Sequence, residues 1–176
     1  VKPFSRPEIK EVLDLCLSCK GCSSECPSNV DMAKLKGEWQ YQYYQDEGIP
    51  LRNRLIGNFT MAMSLASKIP WAYQLIFSNK FSGGIAKAIA GFASERSMPA
   101  LGSLTFKKWL KTHFKPLNNG SKKILYLFCD EFTEYNDVEI GQKTILLLDR
   151  LGYQVRRIYH PESGRSFMSK GMLKEA

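Results

Sequence analysis

Cys16-Leu17-Ser18-Cys19-Lys20-Gly21-Cys22-Ser23-Ser24-Glu25-Cys26-Pro27 places four thiols in one short loop. The spacing is C-x2-C-x2-C-x3-C-P, the bacterial ferredoxin pattern for a 4Fe-4S cluster. Two-residue gaps let successive thiolates reach different corners of a cubane while backbone amides point at its sulfurs. Gly21 is expected to relieve crowding at the bend, and Pro27 to turn the chain away after the last thiol. A zinc site more commonly uses two ligand pairs separated by a longer loop. Four unliganded thiols so close together would be open to oxidation. Cys16, Cys19, Cys22 and Cys26 are therefore the candidate metal and cofactor ligands. In two-cluster ferredoxins the fourth cysteine serves the other cluster, so Cys26 completes either the local cluster or one built on cysteines elsewhere.

The flanks of this loop read as helix. Pro7 to Leu17 sets Ile9, Val12, Leu13 and Leu17 on one stripe, with Pro7 in the first turn. After the loop, Asp31 is an N-cap for a helix from Met32 to about Glu47, ended by Gly48-Ile49-Pro50. Helical periodicity continues from Leu51 to Phe114, interrupted at Pro70, Gly83-Gly84 and Pro99, which predicts four more helices.

The pattern changes after the turn-rich stretch Lys115 to Ser121. Lys123 to Cys129 contains the apolar run Ile124-Leu125-Tyr126-Leu127-Phe128, suited to a buried parallel strand. Asn136-Asp137-Val138-Glu139 caps a helix through Leu151, Gly152 closes it, and Tyr153 to Tyr159 reads as a second strand. Another helix begins near Ser163-Gly164. The expected fold is mainly α: a ferredoxin-like α-helical iron-sulfur domain over 1–120, with a basic helical extension, and the start of a small α/β module (β-α-β) over 121–176.

The 176 residues carry a formal charge of +8. Residues 48–120 contribute most of it, holding ten Lys and Arg against the single acid Glu95. Such a region suits an anionic membrane, an acidic protein or plain solvent. No aromatic RNA-binding motif or recognition helix accompanies it, so nucleic acid is not an expected partner. The uncharged runs Leu55–Ser67 and Ile69–Asn79 are too short to span a bilayer, where roughly 18 or more residues are needed, but suit its interface. Secretion signals are not seen, and cysteine usage fits a reducing compartment, so the expected location is cytoplasmic, peripheral at the inner face of the plasma membrane. A chain that opens on Val1 and stops inside Ser169 to Ala176, a stretch that reads as an unfinished helix, is expected to be a fragment of a longer polypeptide.

Val12 to Lys36 around the cysteines resembles the second ferredoxin motif of FAD-linked D-2-hydroxyacid dehydrogenases, the D-lactate and D-2-hydroxyglutarate enzymes with an iron-sulfur C-terminal half. The iron-sulfur subunits of glycerol-3-phosphate dehydrogenase and glycolate oxidase are related. Arg96-Ser97-Met98-Pro99 with Thr105 to Trp109 resembles the family connector. Asp130 to Tyr135 with Leu151-Gly152-Tyr153 resembles the start of its cysteine-rich domain. The resemblance implies electron transfer from FAD, bound in an N-terminal part of the same polypeptide, through the cluster to a quinone or carrier protein. It also implies a Cys-Cys-Gly motif where this chain has Glu162-Ser163-Gly164-Arg165, a departure that removes those thiolates.

No flavin fingerprint, nucleophile elbow or catalytic carboxylate pair is legible in this sequence, so the chain alone is expected to be non-catalytic. Cys129 reads as a buried small hydrophobe, and His113 and His160 as surface or capping residues. The competing reading is a basic, metal-stabilised helical module that docks on an anionic membrane or an acidic partner.

Overall fold

The computed structural model describes residues 3–120 and 123–176. Val1, Lys2, Ser121 and Lys122 lie outside, and with them the end of the expected linker and the start of the expected second domain. The described residues are mainly helical, with one two-stranded parallel sheet. Two compact units emerge: 1–59 with 164–176, and 60–163. The boundary expected at residue 120 thus falls inside the second unit.

In the first unit, α1 (Pro7–Asp14) leads into the cysteine loop, which contains the single-turn helix α2 (Gly21–Glu25). α3 (Met32–Glu47) starts where expected, because the Asp31 carboxylate accepts the Lys34 N–H at 3.0 Å. α4 (Leu51–Gly57) follows Pro50. Of the α1 stripe only Leu13 is buried, while Ile9, Val12 and Leu17 stay exposed. Gly57 allows close packing on the C-terminal segment, since a Cβ there would meet Met172 Sδ at 2.6 Å. Ser169 to Ala176, expected to run on as helix, is instead a series of turns after Arg165–Met168. Gly171 adopts φ +68° against Gln40, a position where a helix cannot continue.

The second unit carries α5 (Phe59–Ala66), whose first residue belongs to the other unit, α6 (Pro70–Ser78), α7 (Lys80–Ala90) and α8 (Phe106–Thr112). With α4, the 51–114 region holds five helices rather than four. Gly83-Gly84, expected as a break, sits inside α7. There a Gly83 Cβ would lie 3.3 Å from the Ile76 carbonyl oxygen, so the glycine permits close helix contact rather than ending the helix.

β1 (Ile124–Leu127), α9 (Glu131–Tyr135), α10 (Val138–Arg150) and β2 (Gln154–Arg157) complete this unit, and α11 (Arg165–Met168) returns to the first. The strands pair in parallel, Ile124 opposite Gln154 and Leu127 opposite Arg157, as the β-α-β reading requires. β1 is not the fully buried strand expected: alternate residues Ile124, Tyr126 and Phe128 are exposed. Its other face meets the core of Phe106, Cys129, Val138 and Ile145, with Trp109, Leu110, Phe114, Leu127 and Val155 around it. α10 inserts Val138, Gly141, Ile145 and Asp149 at spacings of three or four, which fall on one helical face.

Asp149 on that face is only 2% exposed. Its carboxylate accepts the Leu117 N–H at 2.9 Å and the Asn118 N–H at 3.2 Å, while the Asn118 amide donates to the Asp149 carbonyl. The turn-rich stretch is therefore tied to α10. Asp149→Ala removes the buried acceptor of two partly exposed backbone N–H donors and is expected to cost about 1–2 kcal/mol, seen as a lower urea midpoint at unchanged m. A loss below about 0.5 kcal/mol would show that solvent already serves those amides.

Candidate iron-sulfur loop

The cysteine loop is held from both sides. Lys36 on α3, itself buried, donates from Nζ to the Cys16 carbonyl at 2.6 Å. At its far end Asn29 N–H donates to the Cys26 carbonyl at 2.9 Å, closing the turn that Pro27 opens. All five cysteines are free thiols.

Backbone amides converge on three of the four loop sulfurs. Ser18 N–H donates to Cys16 Sγ at 3.4 Å and Met32 N–H to Cys22 Sγ at 3.3 Å. The Val30 amide, with those of Ser28 and Asn29, holds the Cys26 thiol below the usual cysteine range against the opposing effect of burial. N–H donors aimed at sulfur favour the thiolate, the form that binds metal. Cys19 is exposed.

The bend is not made where expected. Gly21 opens α2 without a left-handed backbone, and a Cβ on it would be in ordinary contact with Cys19 Sγ at 3.7 Å. Left-handed conformations fall instead on Ser18 (φ 57°), Lys20 (φ 62°) and Asn29 (φ 53°), the only non-glycine residues with positive φ among those described. At Ser18 and Lys20 this costs roughly 1–2 kcal/mol each, and at Asn29 less, because a short amide side chain tolerates the left-handed region. Strain is thus concentrated in the cysteine loop. Sequence reasoning looked for glycine at the bend and so missed all three.

Among the described residues, no group of three or more His, Cys, Asp or Glu side chains is gathered closely enough to hold a metal ion. The four thiols share a loop without meeting at a point. The donor chemistry nevertheless fits an iron-sulfur cluster: soft thiolates, amides directed at sulfur, and nearby positive charge. That positive charge is Lys36, whose Nζ donates to the Cys16 carbonyl.

In the second unit Glu131, Glu134, Arg157, His160, Cys129 and Thr60 line a cavity of about 130 Å³. Arg157 Nη2 pairs with Glu134 Oε2 at 3.1 Å, and Ser163 Oγ donates to Glu131 Oε1 at 2.7 Å. Ser163 thus serves a hydrogen bond where the resemblance implies a thiol. Glu162 lines the same cavity. His160 accepts from the Cys129 N–H at 3.2 Å and stacks on Phe128, a capping role; His113 pairs with neighbouring Thr112.

Cys129 is 3% exposed, as a buried small hydrophobe should be. Burial, then the Glu134 carboxylate, pushes its thiol up to about 11 from an ordinary 9.0. The folded pKa lies above the unfolded one, so folding retains a proton that the unfolded chain releases. That stability is intact below about pH 9 and is lost as pH rises toward about 11, up to roughly 2 kcal/mol. Burial raises Tyr73 in the same direction. Urea midpoints should fall between about pH 8 and pH 10.5, less so in Cys129→Ala; an unchanged difference in that variant would contradict the assignment.

The chain is similar over 95% of its length to D-2-hydroxyglutarate dehydrogenase of Pantoea ananatis, at 25% identity. The enzymes of the same name from Haemophilus influenzae and Escherichia coli match at 22%, over 95% and 94% of the chain. In each case the match spans 17% of the relative's length. The resemblance read from the cysteine loop and its flanks therefore extends along nearly the whole chain. No protein-family model and no solved structure matches it.

Proposed function

We propose that this chain is an electron-transfer segment of a flavin-dependent D-2-hydroxyacid dehydrogenase, with Cys16, Cys19, Cys22 and Cys26 as ligands of one 4Fe-4S cluster. The observation that carries this reading is the union of ferredoxin spacing, sulfur-directed amides and three left-handed non-glycine residues, Ser18 and Lys20 strained among them, in a single loop. Strain of this kind persists where function over-determines the backbone. When bound, the cluster supplies a one-electron carrier.

This chain's residues hold and tune that carrier. Lys36 fixes the Cys16 carbonyl and brings a buried positive charge to the loop. The amides of Ser18, Met32 and Val30 disperse thiolate charge, and the three donors on Cys26 favour a local role for it. Cys19 forms the exposed edge, the shortest route for an electron to or from a partner. The hydroxyacid is oxidised at FAD elsewhere in the polypeptide, and a quinone or carrier protein accepts the electrons. The similarity to D-2-hydroxyglutarate dehydrogenases supports that substrate class.

Anaerobic addition of D-2-hydroxyglutarate to the longest polypeptide carrying this segment tests the reading. Flavin bleaching followed by cluster reduction is expected. Reduced flavin beside a cluster that stays oxidised would overturn it.

A further inference from the structure

The second unit keeps rows of large apolar side chains in solvent. On α6, Trp71 and Leu75 are one helical turn apart, and Trp71 is 68% exposed. On α7, Phe81, Ile85 and Ile89 follow at spacings of four, with Phe81 78% and Ile89 72% exposed. Met61 and Leu65 on α5 repeat the pattern. Spacing by four places each set on one side of its helix. α6 and α7 already pack on each other through other groups: Gly83 lies against the Phe77 backbone and Ser82 Oγ donates to the Ile76 carbonyl at 2.7 Å, while Tyr73 meets Phe77 within α6. The outward stripes are therefore not surplus core.

The charge around them is almost entirely positive. α6 carries no Asp, Glu, Lys or Arg, α7 carries only Lys80 and Lys87, and Lys68 stands just before α6. Across 48–120 ten cations face one acid. No helix among the described residues is long and apolar enough to cross a membrane. Short helices with Trp, Phe, Leu and Ile on one side and lysines beside them suit a bilayer interface, where apolar side chains enter the acyl boundary and ammonium groups meet lipid phosphates.

We propose that the α5–α7 face docks on the surface of an anionic phospholipid bilayer, lying in its interface without spanning it. Trp71, Leu75, Phe81, Ile85 and Ile89 supply the inserted surface; Lys68 and Lys80 supply the attraction. This docking is independent of the cysteine loop and stands or falls without it.

The full 176-residue chain is to be co-sedimented with phosphatidylglycerol and with phosphatidylcholine vesicles, while tryptophan emission is followed. Binding to the anionic vesicles alone, weakened by salt, with emission moving to shorter wavelength, is expected. Trp71→Phe should bind yet lose most of the emission change. Lys68→Gln and Lys80→Gln should each weaken partitioning about five-fold. Phe81→Ser with Ile89→Ser should abolish binding at unchanged helicity; the wild-type emission change reads insertion without any variant. Equal binding to both lipids, a lipid-independent dimer that shields Trp71, or unimpaired binding of the serine variant would overturn the proposal.

Discussion

Cys19→Ser is expected to reduce bound iron from about four atoms per chain to a trace, with matching loss of acid-labile sulfide. A serine oxygen is a hard, weakly acidic donor and poorly replaces a soft thiolate on iron. Cys19 is exposed, and its nearest described glycine neighbour, Gly21, leaves it ordinary space. The metal-free variant should therefore match the metal-free parent in stability within about 0.5 kcal/mol. Lost iron at unchanged stability separates a ligand role from a structural one. Full iron content in the variant would remove Cys19 from the ligand set.

Phe106→Ala is expected to have the largest effect on the fold. Phe106 is 0% exposed, packs with Cys129, Val138 and Ile145, and stacks on Trp109 with ring centroids 6.1 Å apart. Losing a buried aromatic ring costs about 3–5 kcal/mol, a large part of the ~5–15 kcal/mol that holds a typical domain. The upper part of that range applies because α10 has little freedom to collapse inward. A Cβ on Gly141 would already lie 2.7 Å from Thr133 Cγ2 and 3.1 Å from the Phe106 ring. Urea unfolding of parent and variant measures the difference; a loss under about 1.5 kcal/mol would show that the site closes over the missing ring.

What the sequence disclosed and what it hid divide along physical lines. Asp31 could be read as a cap because its hydrogen bond to Lys34 is local, and the parallel pairing of β1 with β2 followed from the length of the connection between them. α2 and α9 were missed because five residues are too few to establish a periodicity. Gly83-Gly84 was read as a break because glycine lowers helix propensity by about 1 kcal/mol, while the carbonyl of Ile76 that rewards its small size is a tertiary neighbour. Phe106 and Asp149 gave no local sign of their roles. One is the centre of a core, the other an anchor for a stretch some thirty residues earlier, and both depend on distant partners.

At the candidate site, the four thiols and their spacing were legible, whereas the backbone that presents them was not. Left-handed conformation at Ser18 and Lys20 runs against residue preference, so it escapes any reading based on preference, whereas Asn29 is of a type that tolerates it. Lys36 was likewise invisible: twenty positions separate it from the Cys16 carbonyl it binds. The uncharged run Ile69–Asn79, which holds α6, could be read as interfacial, but the stripe of α7 did not announce itself as exposed, because spacing alone does not distinguish a core-facing stripe from one left in solvent.

Anaerobic reconstitution of the chain, followed by metal and acid-labile sulfide analysis and low-temperature EPR after dithionite reduction, tests the iron-sulfur assignment most directly. About four irons and four sulfides per chain, with the signal of a reduced cluster, are predicted. Stoichiometric zinc without iron, bound so that its removal unfolds the helices around the loop, would contradict the assignment and leave a metal-stabilised helical module in its place.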